Sequence, residues 1–385
     1  METILENVRA ITWQMLLMWC IGGGLIYLAI RKNMEPALLL PMGFGAILVN
    51  LPFSGAITQS LEAGPLDVLF QAGIANELFP LLLFIGIGAM IDFGPLLADP
   101  KLLIFGAAAQ AGIFLTLILA SALGFPIREA ASIAVIAAAD GPTSIFVANY
   151  YSSKYLGAII VAAYSYMALV PILQPPVIRL MTTKKERKIH MKYAPKSVSK
   201  ATKILFPILM TVISGILAPK SVALIGFLMF GTLIRECGVL EQLSETAQKV
   251  LANLITLILG LTVATKMQAD LFLAPDTLLI LGLGLAGFVL DTAGGVLVAK
   301  FVNLFLPEGK KVNPMIGAAG ISAFPMSARI VHKMGQQEDN QNFLLMHAVA
   351  GNVSGQIASV LAAGALLTLV PEGKIFFKFI APFRF

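Results

Sequence analysis

Long apolar stretches separated by short polar punctuation fill this chain. They run over 12–30, 36–50, 78–93, 102–124, 130–149 and 155–178, then over 204–218, 221–235, 250–265, 277–306, 312–331 and 342–370. A helix needs about 20 apolar residues to cross a bilayer. Several stretches reach that length alone, 36–50 and 78–93 fall short, and 130–149 and 312–331 are interrupted by proline and charge. No run alternates in the ~10-residue register of a membrane barrel, so every stretch predicts a helix. The expected fold is an all-α polytopic membrane protein with about 10–11 membrane-spanning helices.

Composition agrees. Of 385 residues, 58% are apolar and 12% charged, against about 25% charged in a soluble domain. Glu2, Glu6 and Arg9 precede the first apolar run, which lacks a small-residue cleavage site, so no cleavable signal peptide is expected. The net charge of +6 is unevenly spread: 184–203 (KKERKIHMKYAPKSVSKATK) holds eight Lys/Arg and one acid. The positive-inside rule puts that loop in the cytoplasm. The loop 51–76 has no Lys or Arg and carries Glu62 and Asp67, which places it outside, with Arg31 and Lys32 inside and the N-terminus outside. Cys20 and Cys237 lie far apart without metal-ligand spacing and predict neither disulfide nor zinc site.

The basic connector divides the chain into a first membrane repeat (1–182), a linker (183–203) and a second repeat (204–385). GFGAILVN (43–50) parallels FGTLIRE (230–236). IGAMIDFGPLLADPKLLIFG (87–106) parallels TKMQADLFLAPDTLLILG (265–282), pairing Asp92 with Asp270 and Asp99 with Asp276. FPIREAASIAVIAAADGPTSIF (125–146) parallels LPEGKKVNPMIGAAGISAFPMSAR (306–329), pairing Pro142 with Pro325. With one re-entrant segment per half, an odd number of crossings inverts the second repeat relative to the first. Interrupted segments in corresponding positions of two such repeats point to a transport site.

In the first of them, 130–139 forms at most ~15 Å of helix, about half the hydrocarbon core. Asp140 follows, and Pro142 suits the first turn of a new half-helix. A carboxylate at membrane depth costs roughly 2.5–3.5 kcal/mol on insertion scales. Beside unwound carbonyls and the Thr143 and Ser144 hydroxyls, Asp140 has the oxygen surroundings that a hard cation such as Na⁺ takes; the bland reading is a helix N-cap. The second interrupted segment offers Asn313 and Ser322 as neutral oxygen donors, and Gly317, Gly320 and Pro325 for close backbone approach. Arg329 either pairs with an anion or snorkels to the interface beside His332 and Lys333. Tyr166 brings a hydroxyl into a span that Pro171 is expected to break. Asn352 and Gln356, four apart, share a helix face, and Asn352 serves either as a ligand or as helix–helix glue. His347 reads as a packed histidine ahead of a proton relay. Gln110, Asp92 and Lys266 are candidates for supporting roles.

Together IDFGPLL, GAAAQAGIF, AAADGPTSIF, YSYMALVP and NPMIGAAGISAFPMSARIV resemble the beta subunits of sodium-pumping biotin-dependent decarboxylases, which act on oxaloacetate, methylmalonyl-CoA, glutaconyl-CoA or malonate. The resemblance runs from about residue 34 to the C-terminus. It implies that the functional aspartate is Asp140, the motif tyrosine Tyr166, and the polar positions of the second string Asn313, Gly317, Ser322 and Arg329. It further implies that a carboxyltransferase alpha subunit loads biotin on a carrier protein. Carboxybiotin is then decarboxylated on this subunit, driving Na⁺ outward and consuming a proton from the outer side. Asp140, Asn313, Ser322 and Asn352 are then the expected Na⁺ ligands, Tyr166 a proton donor or ligand, and Arg329 the partner of the carboxybiotin carboxylate or of Asp140. Small membrane subunits and a homo-oligomer, a trimer among the options, are implied partners, and no nucleic acid. The location implied is a bacterial or archaeal cytoplasmic membrane.

Without the resemblance, a stand-alone sodium-coupled carrier or Na⁺/H⁺ antiporter fits the same pattern, and a passive channel or scaffold subunit is a third class. The chain has no biotinyl Met-Lys-Met motif, so biotin comes from a partner, and no Walker A loop.

Overall fold

A computed structural model describes residues 2–58, 63–191 and 198–370; Glu62, the middle of the basic linker and residues 371–385 lie outside the described residues. In chain order the helices that matter are α1 (Trp13–Lys32), α2 (Pro36–Val49), α3 (Leu78–Met90), α4 (Leu103–Ala109), α5 (Ala111–Ala122), α6 (Ile127–Ala134), α7 (Gly141–Tyr150) and α8 (Leu156–Met181). After the linker come α9 (Lys200–Leu217), α10 (Val222–Glu236), α11 (Glu241–Lys266), α12 (Pro275–Leu304), α13 (Met315–Ala318), α14 (Met326–Glu338) and α15 (Leu345–Leu369).

Six helical stretches are long and apolar enough to cross a membrane alone: α1, Pro100–Ala122 (the α4–α5 pair), α8, α11, α12 and α15. Pro65–Ile74 and α3, bent by 64° at their junction, make a seventh. The shorter α2, α9 and α10, at 14, 18 and 15 residues, carry further expected spans. Large apolar side chains point outward, among them Leu180 at 87% and Ile216 at 76% exposure, as a lipid-facing surface requires. Cys20 and Cys237 are free thiols.

The helices begin where side chains can satisfy the first amides. Thr12 caps α1 by accepting from Met15 N at 3.3 Å, and Ser199 caps α9 by accepting from Thr202 N at 3.1 Å. Pro171 does not break its span as expected. α8 runs unbroken through Pro171, Pro175 and Pro176, because packed neighbours inside a membrane protein tolerate the freed backbone groups.

Both interrupted segments fold back on themselves. Around α6 and α7, Glu129 accepts from the Ser153 hydroxyl and from Lys154 N at 3.3 Å, so the two feet of this hairpin meet. The feet of the second meet at the linker, where Asn313 Nδ2 and Asn342 Nδ2 donate to the Arg187 carbonyl at 2.9 and 3.0 Å and Arg187 Nε pairs with Glu338 at 2.6 Å. These feet flank opposite ends of α8, a helix of 26 residues and so about 39 Å long. The tips touch: Ser322 Oγ donates to the Ala138 carbonyl at 2.9 Å. α15 passes beside both tips and is 72% buried over its apolar window, against 17% for peripheral α1. The site therefore lies on α15, not near the first span.

Candidate functional site

The first hairpin tip is built from a broken helix. α6 tightens into a 3₁₀ turn over Val135–Ala138, Ala139 takes a left-handed conformation (φ 50°), and Asp140 turns extended (φ −118°) before α7 begins. A left-handed alanine costs of order 1 kcal/mol, and here it aims a carboxylate into the protein centre. Pro142 occupies the first turn of α7, as expected.

Asp140 is 4% exposed. Its Oδ1 accepts from Thr143 N at 3.3 Å, so it is an N-cap. A cap needs no more, yet Oδ2 accepts from Thr143 Oγ1 at 2.7 Å, from Ser359 Oγ at 3.0 Å and from Gln356 Nε2 at 3.1 Å. Two of those donors come from α15, so the carboxylate also pins the hairpin tip to the central helix. The Asp140 carbonyl accepts from Ser144 Oγ at 2.8 Å. Hydroxyls that now donate to Oδ2 expose lone pairs when they rotate. Carboxylate, Thr143, Ser359 and nearby carbonyls then form an oxygen shell of the kind Na⁺ takes.

Ser322 and Asn352 join this neighbourhood. Ser322 holds the Ala138 carbonyl two residues before Asp140, and Asn352 Nδ2 donates to the Ile321 carbonyl at 2.6 Å while its buried Oδ1 has no hydrogen-bond partner among the described residues. Gly317 packs backbone to backbone on α12, where a Cβ would lie 1.9 Å from the Gly295 carbonyl oxygen. Gln110, at the break between α4 and α5, donates to the Gly106 carbonyl at 2.9 Å and reaches the Gly320 carbonyl at 3.4 Å, tying that break to the second tip. Pro325 immediately precedes α14.

Other expected residues stand elsewhere. Asn313 is engaged at the foot of the second hairpin, its Oδ1 accepting from Met315 N at 3.1 Å. Arg329 is exposed, and the charge it faces is Glu35. The Tyr166 hydroxyl donates to the Leu281 carbonyl, joining α8 to α12. The Tyr164 ring lies over Gly141, next to Asp140 in the chain, where a Cβ would sit 2.4 Å from Tyr164 Cζ. Asp92 faces Lys203 and Arg235 at 3.7 and 3.9 Å, and Lys266 lies over the Phe70 ring; neither supports the tip.

Three polar residues escaped the sequence reading. Ser359 follows Asn352 and Gln356 at steps of four and three, and that helical spacing was the signal that could have found it. Gln174 donates to the Ala318 carbonyl and to Ser327 Oγ, each at 2.8 Å, fastening α8 to the second hairpin. Asp291 is fully buried in the middle of α12, the one acid inside the stretch 277–306, which also carries Lys300 nine residues on.

A family model described as the Na⁺-transporting oxaloacetate decarboxylase beta subunit matches residues 14–370. The chain is 48% identical to the glutaconyl-CoA decarboxylase subunit beta of Acidaminococcus fermentans, over 94% of each chain. It is 47% identical to the methylmalonyl-CoA decarboxylase subunit beta of Propionigenium modestum, over 92% of this chain and 94% of the relative. A probable oxaloacetate decarboxylase beta chain of Vibrio cholerae is 43% identical, over 96% of this chain and all of the relative.

Proposed function

Because the chain belongs to the family of Na⁺-transporting oxaloacetate decarboxylase beta subunits, we propose that Asp140 is the ligand through which it couples decarboxylation to Na⁺ movement. The protein is the multi-pass membrane subunit of a bacterial sodium-translocating, biotin-dependent decarboxylase. Carboxybiotin decarboxylation drives Na⁺ outward and consumes a proton. All three relatives named are decarboxylase subunits, which favours this activity over a stand-alone carrier.

One observation carries the residue assignment: Asp140 Oδ2 gathers Thr143 from its own hairpin and Gln356 and Ser359 from α15. The carboxylate thus joins two elements whose relative position changes in alternating access. Na⁺ displaces those donors and draws on the Thr143, Ser359 and Ser322 hydroxyls, on Asn352 Oδ1 and on the tip carbonyls. Moving one Na⁺ outward against 100 mV costs about 2.3 kcal/mol, so the two arrangements must differ in which face reaches Asp140. Two inverted repeats, 1–182 and 204–385, supply them by rocking about the meeting point of their hairpins. Arg329, exposed near Glu35 on the expected cytoplasmic side, is the group that receives the carboxybiotin carboxylate. The biotin carrier, a carboxyltransferase alpha subunit and small membrane subunits are the proposed partners, in a complex with more than one copy of this chain.

The test is Na⁺ titration of carboxybiotin decarboxylation and radiolabelled Na⁺ uptake in proteoliposomes holding the purified complex. Asp140→Asn is expected to lose both. Retention of decarboxylation with ordinary Na⁺ activation would make Asp140 a structural cap.

A further inference from the structure

Asp291 is 0% exposed, and no side chain among the described residues donates a hydrogen bond to either of its carboxylate oxygens. It sits on the seam between α12 and α5, whose contacts run antiparallel: Asp291 meets Gly112, and Gly287, one turn back, meets Thr116. The seam is made for the carboxyl group. A Cβ on Gly112 would lie 2.3 Å from Asp291 Oδ1, so only glycine leaves room. The helix breaks between α4 and α5 at Gln110, which puts Gly112 in the first turn of α5, where amides lack a full helical partner set, while Ile113 N donates to the Gln110 carbonyl at 3.1 Å. The N–H groups of Gly112 and Ile113 are what face Asp291. Thr116 Oγ1, one turn along, is likewise buried without a partner.

This environment differs in kind from that of Asp140. Around Asp140, beside the Thr143 amide and Gln356 Nε2, stand the Thr143 and Ser359 hydroxyls, which can turn lone pairs toward a cation. Around Asp291 no side-chain hydroxyl bonds the carboxylate among the described residues, and what faces it are N–H groups at a helix N-terminus, which repel a metal ion and favour an anion. An unpaired charge in a dry interior is costly enough that such a group takes up a proton instead. Other titratable groups are far or few. α4, α5, α13 and the 135–138 turn carry none, α8 offers Tyr164, Tyr166 and, in its last turn, Arg179, and Asp140 follows the turn. Arg128 and Glu129 of α6, Asp270 of Ala269–Phe272, and Asp276 and Lys300 of α12 itself stand toward the ends of their elements.

We propose that Asp291 is a proton-holding site of the pump, separate from the Na⁺ site at Asp140. The inference rests on the reading of Asp140 as the Na⁺ ligand. When the N–CO₂ bond of carboxybiotin breaks, its electron pair stays on the ureido nitrogen, CO₂ leaves, and that nitrogen takes a proton. Asp291 gives up its carboxylic proton toward the side where carboxybiotin is bound. Its carboxylate is then held by the first amides of α5 until a proton arrives from the outer face. One carboxyl group thus exchanges Na⁺ and the other H⁺, so the two ions need not compete for a single site.

The experiment compares wild type, Asp291→Asn and Asp140→Asn in the purified complex. Infrared spectra at neutral pH with saturating Na⁺ should show the carbonyl stretch of a buried protonated carboxylic acid, present in wild type and in Asp140→Asn and missing from Asp291→Asn. The wild-type spectrum tests the idea even if a variant fails to assemble. In turnover, Asp291→Asn should keep the wild-type half-activating Na⁺ concentration, run about a hundredfold slower and lose the fall-off in rate at alkaline pH. Absence of the band from wild type overturns the proposal, and so does an unchanged pH profile in Asp291→Asn. A raised Na⁺ requirement in that variant overturns it too, by making Asp291 a Na⁺ ligand. Ordinary Na⁺ activation in Asp140→Asn with the Asp291 band intact refutes the Asp140 assignment alone.

Discussion

At Asp140 a single oxygen collects donors from Thr143, Gln356 and Ser359, and each donor is worth enough to measure. A hydrogen bond to a charged group contributes about 1.5–3 kcal/mol. Ser359→Ala should therefore raise the Na⁺ concentration for half-maximal decarboxylation by about tenfold, with maximal rate changed less; an unaltered Na⁺ titration would remove Ser359 from the shell. Asp140 itself was legible, because a charge followed by Gly141-Pro142 inside an apolar run is rare. Ser322 and Asn352 were legible as polar positions at membrane depth. Asn313 and Tyr166 are polar in the same way, yet they bond elsewhere, to the linker carbonyls and to Leu281. Which face of a broken segment a side chain takes is decided by tertiary packing, and no spacing rule carries that. Asp291 was overlooked because one acid in the middle of an uninterrupted 30-residue helix breaks no pattern.

The elements obey simpler rules, and variants test them. The left-handed Ala139 holds the first tip in a conformation that glycine adopts freely. Ala139→Gly should leave Na⁺ activation intact and stabilise the detergent-solubilised subunit by about 0.5–1 kcal/mol, read as a higher melting temperature. Gly317→Ala places a Cβ against the Gly295 carbonyl oxygen. It should cost about 1–3 kcal/mol, seen as a lower melting temperature and less assembled complex. The linker offers a pH test. Desolvation pushes Glu186 up, but the Thr183 N–H, the Lys300 ammonium and the Thr183 hydroxyl outweigh it and hold Glu186 below the ordinary carboxylate range. A depressed folded value means that its anchoring is complete at neutral pH and fades as pH falls through that lowered value. Proteolysis of the linker should accordingly speed up on acidification, and Glu186→Gln should cleave at the faster rate already at pH 7. Helix positions were readable from apolar runs. The continuity of α8 through its prolines was not, since whether a membrane helix tolerates proline depends on how its neighbours pack around it.

For the molecule as a whole, two hairpins with feet flanking opposite ends of α8 and tips in contact put Asp140 where neither surface reaches it directly. The paired interrupted segments were visible as parallel strings in the two halves, because glycine, proline and charge are conspicuous against leucine and valine. Their meeting at Ser322 and Ala138 depends on how ten or so helices pack, which those strings do not encode. The central claim is that Asp140 binds the transported ion. Equilibrium binding of radiolabelled Na⁺ to the purified complex, with no carboxybiotin present, isolates that claim from catalysis. Saturable binding in wild type that is lost in Asp140→Asn and weakened about tenfold in Ser359→Ala is the predicted result; full binding by Asp140→Asn would contradict it.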